Sequence, residues 1–75
     1  MVLDQILIEE NGEERLYTLY DKILFQNQNI FVYLNEESHG DIKIVFLKYD
    51  PNHESLSEEI HGYSDLLLFY HQLNF

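Results

Sequence analysis

One stretch, residues 42–49 with the sequence IKIVFLKY, limits the fold of this chain more than any other. Four apolar residues follow one another between two lysines, and most of the stretch is β-branched or aromatic. The run is too short for a buried helix, and the turn signals Gly40-Asp41 and Asp50-Pro51 stand on either side of it. The stretch therefore predicts a strand inside a sheet.

A hairpin is predicted upstream of this strand. Residues 5–9 (QILIE) and 15–21 (RLYTLYD) have strand-type sequences, and Asn11-Gly12 lies between them. Asn-Gly accepts positive φ at both central positions of a type I′ turn. Both faces of the second strand carry apolar side chains, so we expect this strand to be central or to continue through residues 23–25.

The middle of the chain predicts one more strand and its connections. The uncharged segment 26–29 (QNQN) predicts a turn, residues 30–34 (IFVYL) a strand, and residues 35–41 the next connection. Pro51 lacks an amide donor and ends the fourth strand, so a loop or short edge segment should follow as far as His61.

A C-terminal helix of about three turns is predicted from Ser64 onward. Ser64 is a candidate N-cap, and Asp65 is favourable in the first turn. An apolar stripe at helical spacing would face the sheet. This stripe consists of Leu66, Leu67, Tyr70 and Leu73. The sequence as a whole predicts one small acidic α+β domain at residues 1–75, a four-stranded antiparallel β-meander with one C-terminal helix packed on one face.

Composition restricts the partners of this chain. It has 14 Asp and Glu against four Lys and Arg, a net charge of −10, yet is 45% hydrophobic, so it should fold. Such a charge repels nucleic acid and anionic membranes and favours a basic protein surface. The chain has no cysteine, no signal-peptide pattern and no apolar run of about 18 residues, so we expect a cytoplasmic protein.

The acidic residues are expected to gather at one end of the sheet. In a meander, alternate connections lie at the same end, so the first and third connections would form one acidic pole. Seven carboxylates there are the predicted partner-binding residues. They are Glu9, Glu10, Glu13, Glu14, Glu36, Glu37 and Asp41.

Metal, cofactor and catalytic motifs are incomplete in this sequence. Asp50, Asn52 and Glu54 have the first spacings of a calcium loop, but Ser55 replaces its glycine and His61 its closing glutamate. The four histidines have no ligand-pair spacing; they are His39, His53, His61 and His71. We find no phosphate loop, thiol or nucleophile elbow, so no metal, no cofactor and no enzymatic activity are predicted.

The number of aromatic rings is large for a thin core. A single helix covers one sheet face, so some rings should be exposed and available to a partner. The rings are Tyr17, Tyr20, Phe25, Phe31, Tyr33, Phe46, Tyr49, Tyr63, Phe69, Tyr70 and Phe75.

The order of segments resembles the YrzB-like family of small acidic bacterial proteins of unknown function. The likeness lies in an opening strand followed by ENGEE at residues 10–14, two aromatic-rich strands, and LSEEI at residues 56–60 before the helix. It spans most of the chain. The resemblance implies the same α+β fold and a bacterial or phage origin, and it brings no activity or functional residues.

These observations favour a non-enzymatic acidic module that binds a basic protein. It would modulate or inhibit that partner, for example a nucleic-acid-processing protein, as a phage or bacterial inhibitor does. The alternative is a homodimeric accessory or structural domain without an inhibitory role, in which a second copy covers the spare sheet face.

Overall fold

The computed structural model describes residues 4–36 and 40–74, which form one antiparallel sheet and one helix. Within these residues the strands lie side by side in chain order, as in a meander. The predicted α+β class, antiparallel sheet and C-terminal helix are confirmed. The elements are β1 (Gln5–Glu10), β2 (Glu13–Phe25), β3 (Gln28–Glu36), β4 (Ile42–Asp50), β5 (Ser55–Ser57) and α1 (Tyr63–Asn74).

The predicted number of four strands is wrong, because β5 adds a fifth strand at the edge of the sheet. It pairs with β4 through Lys48↔Ser57 and Asp50↔Ser55. A three-residue strand with a single apolar side chain, Leu56, has too little alternation to be recognised from sequence. Its conformation depends on pairing with β4, which the sequence alone does not show.

The two-residue turns follow the local sequence. Asn11 and Gly12 have φ values of 52° and 80° between the paired residues Glu10 and Glu13, which confirms the predicted hairpin. The second predicted turn is narrower than expected. Only residues 26–27 turn, with φ values of 48° and 60°, and β3 begins at residue 28.

A bulge in β2 changes which face of the sheet its side chains occupy. Leu19 pairs with Tyr33 and Asp21 pairs with Val32, so Tyr20 is one extra residue in β2. Because side chains alternate along a strand, the odd-numbered residues of β2 change faces at the bulge. Tyr17 and Leu19 therefore lie on one face of the sheet, and Ile23 and Phe25 lie on the other.

The helix covers one face of the sheet and forms the first core with it. Helix residues Leu66 and Tyr70 are buried there, and the Phe46 ring meets Tyr70 edge-to-face at 5.3 Å. Each fully buried side chain of this kind contributes about 1.5 to 3 kcal/mol. The core consists of Phe25, Ile30, Val32, Phe46, Leu66 and Tyr70, with Ile23 and Ile60 at its margin.

Two details of the predicted helix are wrong. The stripe is narrower than expected, since Leu67 and Leu73 are 44% and 61% exposed. Ser64 is not the N-cap, because α1 begins at Tyr63 and the Gly62 carbonyl accepts a hydrogen bond from the Leu66 amide at 2.9 Å. Gly62 adopts a φ of 73°, a conformation that glycine accepts without strain.

The sheet curls on its other face and forms a second core. The two edge strands both reach this core, β1 through Ile6 and Ile8 and β5 through Leu56. The buried side chains are Tyr17, Phe31, Tyr33 and Leu47. The expectation of exposed rings is therefore correct only in part: Tyr20, Tyr63 and Phe69 are exposed, whereas the rings opposite the helix are buried by the sheet itself. Phe75 lies outside the described residues.

The side chain of Gln28 fixes the segment that leads into the helix. Its Nε2 donates to the His61 carbonyl and its Oε1 accepts from the His61 amide, both at 2.9 Å. Gln28 is only 5% exposed, so these bonds satisfy a buried amide as well as two backbone groups. The contact connects the start of β3 to the chain just before α1.

Candidate functional site

The meander brings the first and third connections to the same end of the sheet. Six of the seven predicted carboxylates lie at this end, and Glu37 lies outside the described residues. The six are Glu9, Glu10, Glu13, Glu14, Glu36 and Asp41. Two of the four basic residues, Arg15 and Lys43, also lie near this end, so its charge depends on how these groups pair.

The strand register divides these carboxylates between the two faces. Directly paired residues of antiparallel strands share a face, so Glu9 and Glu14 lie together, and Glu10 and Glu13 lie together on the opposite face. Glu36 pairs with Ile42, two positions from the Leu34 and Ile44 pair on the helix-bearing face. The predicted acidic pole is thus two separate groups.

Glu10 belongs to an internal cluster with Arg15, Tyr17 and Lys43, here called the Glu10 clasp. The buried Tyr17 hydroxyl donates to Glu10 Oε1, and Lys43 Nζ donates to Glu10 Oε2 at 3.1 Å. Arg15 Nε lies 3.5 Å from the same oxygen. The hydrogen bond from Tyr17, followed by the one from Lys43, lowers the pKa of the Glu10 carboxyl below its ordinary value.

The Glu10 clasp closes one end of the second core. Burial, and then the hydrogen bond to Glu10, raises the pKa of the Tyr17 hydroxyl, which keeps it protonated as a donor. Glu13 Oε2 lies 3.4 Å from Arg15 Nη2, so both carboxylates on this face contact a cation. Glu10 is bound within the chain, whereas the exposed ion pair of Glu13 with Arg15 is a weak contact.

Glu9, Glu14 and Glu36 lie on the face that carries the helix, next to apolar side chains that the helix does not reach. One residue pair inward from Glu9 and Glu14, Leu7 pairs with Leu16, and these are 62% and 48% exposed. We call this surface the acidic-apolar face. It consists of Leu7, Glu9, Glu14, Leu16, Leu34, Glu36, Ile42 and Ile44.

The apolar half of this face was missed by sequence reasoning. Ile42 and Ile44 are 58% and 41% exposed although they belong to the strand that was predicted to lie inside the sheet. Part of this face could have been predicted from the hairpin alone. A two-residue turn at 11–12 pairs Leu7 with Leu16, and alternation places both on the face of Glu9. The sequence does not show how much of the sheet α1 covers.

A pocket of about 520 Å³ opens beside the β2 bulge on the same face. The exposed ring of Tyr20 borders it, and Leu16, Leu34 and Glu36 also line it. The pocket combines an apolar wall with a carboxylate at its rim.

Asp50 is hydrogen-bonded within its own loop. Asp50 Oδ1 accepts a hydrogen bond from the Asn52 amide at 2.9 Å, and Asp50 Oδ2 lies 2.6 Å from His53 Nδ1. The hydrogen bond with His53, then that from Asn52, lowers the pKa of Asp50. Within residues 4–36 and 40–74 no group of three or more His, Asp and Glu is placed to hold a metal ion. His39 lies outside these residues.

Comparisons with models of protein families, with curated proteins and with solved structures find no match for this chain. The resemblance to the YrzB-like family stays a prediction. In the part of the chain that the structure describes, no helix is long and apolar enough to cross a membrane.

Proposed function

We propose that this chain is a non-enzymatic acidic module that binds a basic protein and modulates or inhibits it. The observation that supports this function is the position of Glu9, Glu14 and Glu36. All three are exposed and lie on the face opposite Arg15 and the Glu10 clasp. They form a surface of one charge sign, which attracts a basic partner at long range and accelerates its association.

The proposed partner carries a basic surface of its own, as nucleic-acid-processing proteins do. Glu9 and Glu14 are directly opposite each other in the hairpin, and like charges in such a pair destabilise the free sheet. A bound Lys or Arg relieves that repulsion. Asp41, exposed just before Ile42, adds a further carboxylate at the same end.

A homodimer is less well supported as the function. The sequence predicted a spare sheet face that a second copy could cover, but that face is buried by the curl of the sheet. A second copy meeting the acidic-apolar face would also bring its own net charge of −10. We therefore favour a basic partner.

The test compares two triple variants with the same charge change. Glu9→Gln/Glu14→Gln/Glu36→Gln removes the proposed binding charges, and Glu54→Gln/Glu58→Gln/Glu59→Gln is the control. Binding of proteins from a bacterial lysate to the immobilised chain should be lost with the first variant only. It should weaken as salt rises, because the screening length falls to about 10 Å at 0.1 M ionic strength.

The opposite result is equally clear. A basic partner that binds the first variant as tightly as the wild-type chain, at every salt concentration, would contradict the proposed function. Circular dichroism of both variants would show that the fold is retained.

A further inference from the structure

In the β1–β2 hairpin, the acidic-apolar face has two parallel rows of different chemistry. The outer row contains the paired Glu9 and Glu14, and the next row on the same face contains the paired Leu7 and Leu16. Successive same-face positions along a strand are about 6.8 Å apart. A ligand that fills both rows therefore needs basic and apolar groups at about this separation.

An α-helix provides this separation. Residues i and i+4 lie on one side of a helix and differ by about 6 Å along its axis. Apolar residues of such a helix would contact Leu16 while lysine or arginine one turn away would contact Glu14. Glu36 and Ile42, which are paired with each other, would add one acidic and one apolar contact beside Leu16. The pocket beside Tyr20 would hold its largest apolar side chain.

Charge complementarity decides between the possible occupants. A second copy, a nucleic acid and an anionic membrane all bring negative charge to Glu9, Glu14 and Glu36. A neutral apolar segment would leave these carboxylates desolvated without a partner. We infer that the acidic-apolar face binds a basic amphipathic helix of another protein, with apolar anchors on Leu16, Ile42 and the Tyr20 pocket. This inference rests on the proposed function and adds the kind of partner segment.

The test uses two synthetic peptides of about 18 residues with identical Leu and Lys composition. One has leucines at helical spacing on one side, and the other has the same residues in scrambled order. Kd is measured for each by fluorescence anisotropy. The wild-type chain should bind the amphipathic peptide at least about tenfold more tightly than the scrambled one.

Two variants separate the apolar contribution from charge. Leu16→Thr/Ile42→Thr should abolish the preference for the amphipathic peptide, whereas Leu68→Gln, an exposed apolar-to-polar change on α1, should preserve it. Both replacements in the first variant keep good strand formers at exposed positions. Circular dichroism and thermal melting confirm that the variants are folded.

Each outcome addresses one of the two proposals. Equal affinity for both peptides, or a preference that survives Leu16→Thr/Ile42→Thr, would overturn the inference. If both peptides bound the wild-type chain equally and neither bound Glu9→Gln/Glu14→Gln/Glu36→Gln, the proposed charge-dependent binding would be supported and the helical partner would be excluded. The proposed function would be contradicted instead if the lysate partner bound Glu9→Gln/Glu14→Gln/Glu36→Gln as tightly as the wild-type chain. In that case the preference for the amphipathic peptide would be lost only in Leu16→Thr/Ile42→Thr.

Discussion

The Lys43 ammonium group lies 3.1 Å from the Glu10 carboxylate, although the two residues are 33 positions apart and belong to strands that are not neighbours in the sheet. The contact crosses the curled face, where β1 and β4 both contribute to the second core. Glu10, expected to bind a partner, instead connects two strands of its own chain. The curvature of the sheet decides this role.

Glu10 and Lys43 should be energetically coupled. In a double-mutant cycle with Glu10→Gln and Lys43→Met, the two losses of unfolding free energy should be less than additive, because either change alone breaks the pair. Urea denaturation measures each variant. A cycle of Glu10→Gln with Lys48→Met is the control and should show no coupling. Equal behaviour of the two cycles would mean that the 3.1 Å contact does not contribute to stability.

Stability should also depend on pH through Glu10. Its pKa is lowered in the folded chain, so its contribution is fully present above the ordinary value of 4.5 and is lost as pH falls through the lower folded value. The stability difference between wild type and Glu10→Gln should therefore shrink below about pH 4.5. Thermal melts across this range test it. A constant difference down to the lowest pH would contradict the lowered pKa.

Alkaline pH should destabilise the fold through three tyrosines. Burial raises the pKa of the hydroxyls of Tyr17, Tyr33 and Tyr70 above 10.0. Such groups stabilise the fold below the unfolded value and lose that contribution as pH rises through the folded values. Tyrosinate absorbance should show a late phase that coincides with unfolding. Completion of ionisation before any loss of circular dichroism would refute this expectation.

Two leucines of α1 should respond very differently to truncation. Leu66 is fully buried, and Leu66→Ala should cost about 2 to 5 kcal/mol. That approaches the stability of about 3 to 5 kcal/mol expected for a domain of this size, so the variant should be largely unfolded. Leu68 is 63% exposed, and Leu68→Ala should change stability by about 0.5 kcal/mol or less. Similar melting curves for both variants would show that the helix does not dock as described.

Removing the Gln28 amide should loosen the segment before the helix. Gln28→Ala deprives the His61 amide and carbonyl of their partners, and each lost hydrogen bond costs about 0.5 to 1.5 kcal/mol. The neighbouring Asn29→Ala, at an exposed position, is the control. Hydrogen exchange at His61 should accelerate in the first variant only. Unchanged exchange there would exclude an anchoring role for Gln28.

Local signals account for most of the secondary structure. Asn11-Gly12 specifies its turn through positive φ, and the apolar run at 42–49 identifies β4 because few other structures accommodate it. β5 could not be predicted, because three residues become a strand only beside β4. The division of Glu9 and Glu10 between faces follows from alternation, but the partners of Glu10 depend on curvature, which is set by contacts distant in sequence.

The bulge at Tyr20 exchanges the faces on which the odd- and even-numbered side chains of β2 lie. Before the bulge, the odd-numbered residues Tyr17 and Leu19 pack in the second core, on the curled face. After it, the odd-numbered residues Ile23 and Phe25 pack in the first core, against the helix. A regular strand of the same sequence, with Tyr20 paired, would place Ile23 and Phe25 on the curled face together with Tyr17 and Leu19. Deleting residue 20 would remove the bulge but keep both cores, so relatives should have either three or two residues between Leu19 and Ile23, even where loops vary in length. This spacing is a sequence criterion for recognising distant relatives with the same fold.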